Sequence, residues 1–228
     1  MEIEPMNKRM LVLGTGAVAL AGFAASMALL DPAEAVRGAP VGASVPSGTM
    51  VRPHSPVIGR AEAPVTMVEF LDPSCEACRA FHSVVKQILA RYPDDVRVVV
   101  RYAPFHQGSD EAVRILEAAR LQNLFEPVLE QLFMRQPQWA AHDAPNLPLA
   151  WPIAAEAGLD LARARRDAAA PAVDAVLRQD VADIQAIGVR QTPTFFVNGK
   201  PLPSFGARQL TELVEAEVTA SRRARPGS

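Results

Sequence analysis

Between residues 65 and 102 the spacing of apolar side chains changes twice, and this restricts the fold more than any other feature of the 228-residue chain. Residues 65 to 71, VTMVEFL, form a nearly continuous apolar run, which predicts a buried strand. The run breaks at Asp72-Pro73. Ala77, Phe81, Val84, Val85, Ile88, Leu89 and Tyr92 then recur at intervals of three and four, the period of one buried helical face. In residues 96 to 102, VRVVVRY, Val96, Val98, Val100 and Tyr102 alternate with Arg97, Val99 and Arg101, as in a second strand. The unit is strand, helix, strand.

Ser109, followed by Asp110 and Glu111, reads as an N-cap with an acidic first turn. A mostly helical stretch extends from there to Ile187, interrupted by the Pro-containing segment HDAPNLPLAWP and closed by Gly188 as a C-cap. Trp139 and Trp151 fall inside it and are expected to pack its helices together. Residues 192 to 202, TPTFFVNGKPL, read as a hairpin: an aromatic strand, an Asn198-Gly199 turn, and a short strand whose Pro201 suits a sheet edge. Leu210, Leu213, Val214 and Val218 mark the buried face of a last helix, 207 to 220.

Ahead of this core, Asn7, Lys8 and Arg9 precede an uncharged run from Met10 to Leu30, and Ala33 and Ala35 beyond it suit a small-x-small cleavage site. The run has no polar face, and its 21 residues reach the roughly 20 that span a bilayer. Residues 1–35 are therefore either a cleaved export signal or a membrane anchor through residues 10–30. Both deliver the remainder outside the cytoplasm, to the periplasm or its equivalent, where disulfide chemistry is permitted. Residues 36–63, rich in Pro, Gly, Ser and Ala without periodicity, read as a flexible linker. The globular domain is placed at 64–221, and residues 222–228 as a solvated basic tail. With 23 Lys and Arg against 25 Asp and Glu, the formal charge of −2 leaves no electrostatic footprint for nucleic acid as a partner. No heptad run is present, so a monomer is expected.

Both cysteines of the chain, Cys75 and Cys78, lie at the predicted start of the first helix. A structural disulfide between them would close too small a loop to constrain the unfolded chain. A zinc site wants four ligands, and there are no other cysteines. At a helix N-terminus, by contrast, Cys75 faces unsatisfied N–H groups and the positive dipole end, which bring a thiol pKa from about 8.5 into the range of about 3.5–7.5. Cys75 is then the accessible, attacking sulfur and Cys78, one turn further in, the resolving one. An alternative uses the same atoms: His82, one turn after Cys78, joins the two thiols to hold Cu(I) or zinc, in a metal-carrying or chaperone-like binding module. His54, His106 and His142 show no ligand spacing and are expected to be solvated or core histidines.

From about residue 65 to 220 the chain resembles the DsbA-like thiol-disulfide oxidoreductases of the thioredoxin fold. Three features carry the resemblance: the C-x-x-C opening a helix after an apolar strand, Glu69 six residues before Cys75, and TPTFF with its Thr192-Pro193. It implies an α/β thioredoxin fold, βαβ…ββα, with an all-helical domain inserted at about 107–188. It also implies that the Cys75–Cys78 pair needs no added cofactor or metal. Glu69 would be a buried acid of raised pKa that exchanges a proton with Cys78, and Thr192 with a cis Pro193 would pair with an extended substrate chain. The implied partners are exported proteins with thiols or disulfides and a membrane redox protein that recycles the pair. Glu76-Ala77 departs from the Pro-His of strongly oxidising members, and Ser74 replaces the Trp of thioredoxin itself. A negative charge at Glu76 opposes the helix dipole, so a mild poise is expected, reductase- or isomerase-like; Thr192 before the proline points the same way. The direction of electron flow stays open.

Overall fold

The computed structural model describes residues 47–225. The expected signal or anchor at 1–35, the first part of the linker, and residues 226–228 lie outside the described residues. Among the described residues no helix is long and apolar enough to cross a membrane.

The elements follow in the order α1 (Ser47–Met50), β1 (Val57–Gly59), β2 (Val65–Leu71), α2 (Glu76–Arg91), β3 (Val96–Tyr102), α3 (Ser109–Arg120), α4 (Phe125–Met134), α5 (Gln136–Trp139), α6 (Leu147–Ala155), α7 (Leu161–Ala168), α8 (Pro171–Ile187), β4 (Thr194–Val197), β5 (Lys200–Pro201) and α9 (Ala207–Ala224). The strands form one mixed sheet in the order β1-β3-β2-β4-β5. β2 and β3 are parallel, paired from Val65↔Val96 to Leu71↔Tyr102, so their connection must cross over, and α2 supplies the crossover. β4 adds antiparallel to the other side of β2, and the Asn198-Gly199 turn, both residues at positive φ, returns the chain into β5 at the edge. β2 is thus the central strand, buried along its length except at Thr66.

The period of two assigns the strand residues to faces. Val65, Met67 and Leu71 join Val96, Val98, Val100, Phe195 and Val197 in the core that α2, α9 and the inserted helices cover, and Glu69 shares that face. Val68, Phe70, Val99 and Phe196 point the other way, against Met50, Ile184 and Val189. The core of the inserted helices is continuous with the first face. Trp139 is fully buried and its Nε1 donates to Leu132 O at 2.8 Å, while Trp151 Nε1 donates to Glu111 Oε1 at 2.7 Å.

Three features differ from the sequence reading. Residues 47–63, expected within a flexible linker, are built into the domain: β1 pairs with β3, and Met50 and Ile58 are buried. A strand of three residues is too short for its period to register in the sequence. Ser109 is the first residue of α3 rather than its N-cap, which is Gly108; the Ser109 hydroxyl is occupied by Asp72. The basic tail is not wholly solvated, since α9 continues to Ala224 and Arg222 and Arg225 both bind Asp95, at 2.6 and 3.2 Å.

Arg101 of β3, fully buried, fastens the segment at 47–56 to α8. Its guanidinium donates to Asp180 at 2.8 Å, to Asp183 at 2.6 Å, and to the Thr49 and Met50 carbonyls. Arg52 adds a bond to Asp183 at 2.6 Å, and His54 Nε2 lies 2.7 Å from Asp180. His54, which the sequence places in the linker, is a mostly buried member of this cluster. Burial alone would raise the Asp183 pKa, but the bonds from Arg52 and Arg101 prevail and hold it at about 2.

Candidate active site

β2 and α2 bring the two cysteines to the carboxyl end of the central strand. Cys75 is the N-cap of α2, with extended backbone (φ −76°, ψ 123°), and Cys78 lies one turn in. Both are free thiols. The Cys78 sulfur is fully buried and receives the Asp72 N–H at 3.5 Å. Cys75, expected to be accessible, is only 5% exposed, because the Thr192 turn and Gln136 lie against it. It presents a narrow window to solvent.

The two thiols are driven in opposite directions. Cys75 is lowered to about 5, chiefly by a hydrogen bond from the Cys78 thiol, against the opposing effect of burial, with help from the Thr192 side chain and the N–H groups of Cys78 and Ala77. Cys78 is pushed far above the usual thiol range by burial and by the same bond to Cys75, with the nearby Glu69 adding to it. Glu69, flanked by Val100 and Phe195 in the sheet, is raised to about 8 by burial first and the Cys75 charge second; its Oε1 has no hydrogen-bond partner. The Thr192–Pro193 peptide is cis, and the Thr192 carbonyl oxygen lies 3.3 Å from Cys75 Sγ, where it accepts a hydrogen bond only while that sulfur is a thiol. Glu76 is exposed in the first turn of α2, and the Ala77 backbone N–H is one of the groups that lower the Cys75 pKa.

Two residues that sequence reasoning passed over hold this loop. Asp72, fully buried at the end of β2, accepts from Ser74 N (2.8 Å), Phe105 N (2.8 Å), His106 N (3.0 Å), His106 Nδ1 (2.7 Å) and the Ser109 hydroxyl. In sequence it signalled only the end of a strand. Gln136, buried in the insert, donates to Pro73 O and Cys75 O. His106 is thus anchored to the site, and its ring meets that of His142 at 5.5 Å.

The His82 ring lies 5.2 Å from that of Phe133, tilted by 53°, and burial lowers its pKa. Among the described residues no three His, Cys, Asp or Glu side chains are grouped to hold an ion. Phe81 of α2 instead lies against Phe195 (5.5 Å) and the half-exposed Phe205 (4.7 Å), joining the helix that carries Cys78 to the strand that follows Pro193.

Comparison with known proteins agrees with the fold. A family model described as thioredoxin matches residues 52–216. The structure of a thioredoxin-like oxidoreductase from Silicibacter pomeroyi DSS-3 is 31% identical, with a TM-score of 0.66, covering 79% of this chain and all of that one. BdbD from Bacillus subtilis is 26% identical, with a TM-score of 0.65, over 73% of this chain and 94% of that one. In sequence, a Na(+)/H(+) antiporter NhaA of Herminiimonas arsenicoxydans is 37% identical over 165 residues, 72% of this chain but 26% of that protein. The chain spans about a quarter of the length of the curated relatives it matches.

Proposed function

Because the chain belongs to the thioredoxin family, among its DsbA-like oxidoreductases, we propose that it exchanges thiols and disulfides with exported proteins through Cys75 and Cys78. The observation that carries this reading is the opposed ionisation of the pair: one sulfur an anion at neutral pH, its neighbour held as a thiol. The Cys75 thiolate attacks one sulfur of a substrate disulfide; a Cys75–substrate disulfide forms and the other substrate sulfur leaves as thiolate. Cys78 then loses its proton and attacks Cys75 Sγ, closing the Cys75–Cys78 disulfide and releasing the second substrate thiolate. Run backwards, the same steps oxidise a substrate dithiol.

Glu69 is the nearby acceptor for the Cys78 proton. In the mixed disulfide Cys75 carries no charge, so one of the two causes that raise the Glu69 pKa disappears and its carboxylate becomes more available as a base. Thr192 borders Cys75 and, with Pro193, would receive the substrate backbone, and the exposed Phe205, packed on Phe81 of α2, offers a further apolar contact. A Cys75 pKa of about 5 falls between about 3.5 for DsbA and about 7 for thioredoxin, which supports a mild poise. A reduction potential between about −270 and −120 mV is expected from a glutathione titration. The uncharged N-terminal run supports an extracytoplasmic site of action, with a membrane redox protein restoring the pair.

Cys78→Ala is expected to accumulate reductant-sensitive covalent adducts with exported proteins, and Cys75→Ala, which keeps the Cys78 thiol, to accumulate none. Adducts surviving without Cys75 would overturn the assignment. Labelling of Cys75 by iodoacetamide should rise with pH to a half-maximum near 5 and be level by neutrality; a midpoint in the ordinary range near about 8.5 would contradict the anionic sulfur.

A further inference from the structure

Gln136 lies on α5 in the helical insert and is 1% exposed. Its amide nitrogen donates to two main-chain carbonyls of the cysteine loop, Pro73 O at 2.9 Å and Cys75 O at 3.0 Å. Only the nitrogen can donate to both, so these acceptors fix the amide orientation and leave Oε1 buried without a partner. An unsatisfied buried acceptor costs stability, which an apolar side chain of similar volume would avoid. The loop itself gains from the arrangement.

The peptide groups around Cys75 are gripped from both sides. The Pro73–Ser74 peptide gives its carbonyl to Gln136 and its N–H to Asp72 Oδ1, at 2.8 Å. The next peptide gives the Cys75 N–H to Asp72 O at 3.1 Å, and the one after it gives the Cys75 carbonyl to Gln136 and to the Arg79 N–H. Asp72 ends the central strand and Gln136 belongs to the insert, so the loop is pinned between the two parts of the fold. The N–H groups of Ala77 and Cys78, which meet the sulfur, follow directly in the same turn.

We propose that Gln136 is a positioning residue for the Cys75 nucleophile, holding the first turn of α2 so that its N–H groups aim at the sulfur and tying the helical insert to the reactivity of the pair. The proposal rests on the reading of Cys75 as the attacking sulfur. Loss of the amide removes the positive end of a dipole from the loop and releases the Pro73 carbonyl, and both changes disfavour the anion.

The test uses the full chain and reads the pH profile of Cys75 labelling by iodoacetamide beside a thermal melt. Gln136→Leu is expected to move the labelling midpoint up by about one pH unit, a roughly fivefold lower labelling rate at the parent midpoint. Gln136→Glu keeps the volume but sets an acceptor against two carbonyls, and should move the midpoint further in the same direction; it also serves if Gln136→Leu does not fold. A lower melting temperature with an unmoved midpoint in both variants would show that Gln136 supports the fold alone and would overturn the proposal. A parent midpoint in the ordinary thiol range would instead sink the reading of Cys75 and the proposal with it, so the parent profile tells the two failures apart.

Discussion

Glu69→Leu is expected to stabilise the reduced protein by about 3 kcal/mol at pH 7 while slowing thiol-disulfide exchange on the order of a hundredfold. The folded protein holds the Glu69 pKa at about 8 against an ordinary 4.5, so between these values the unfolded chain releases a proton that the folded chain keeps. A raised pKa contributes stability that is complete below 4.5 and is lost as pH rises through 8. At about 1.4 kcal/mol per pH unit, the interval from 4.5 to 7 sets the size of the gain when the carboxyl is removed. Denaturant unfolding of parent and variant across this range checks it: the difference should be small near pH 4 and grow toward pH 8. A difference independent of pH would mean that packing, not ionisation, is responsible. Under the proposed exchange the slower turnover would arise at Cys78, which would lose Glu69 as proton acceptor in the resolving step.

Arg101→Met should act in the opposite sense, destabilising the fold by about 3–5 kcal/mol, because it strands buried carboxylates without their main counter-charge. Asp180 is fully buried and Asp183 nearly so, and Arg52, itself partly solvated, can reach only the second. The Thr49 and Met50 carbonyls lose their donor as well, so protease should cut within residues 47–56 before the rest of the domain opens. Thermal melting checks the magnitude, at about 2–4 °C for each kcal/mol in a chain of this size. A loss below about 1 kcal/mol would mean that the cluster is no better than a surface ion pair.

The parts legible in the sequence were those written in short-range patterns. β2 and β3 occupy the residues marked by their apolar runs, 65 to 71 and 96 to 102, and Gly188 caps α8 at positive φ where a helix had to stop. The position of Cys75 at a helix start follows from the break at Asp72-Pro73 and the period that begins after it. Arg101 shows how the same reasoning fails: the alternation that identified β3 left it among the outward residues, yet it is buried, because α8 covers the second face of the sheet. The short strand at 57–59 went unrecognised for the reason that three residues cannot display a period. The bond from Cys78 and the backbone N–H groups that lower the Cys75 pKa act at contact distance, which the spacing of residues in the sequence does not display.

By itself, then, the amino-acid order determined the α/β elements, their helical insert and the placing of two sulfurs at a helix origin, since each depends on neighbours within a turn or a strand. Tertiary structure alone decided which groups surround those sulfurs. Asp72 meets Phe105 across 33 residues, Gln136 meets Cys75 across 61, and Arg101 meets Asp183 across 82. Hydrogen bonds between buried polar groups so far apart leave no periodic trace in the chain, because their partners become neighbours only when the sheet and the inserted helices close on one another.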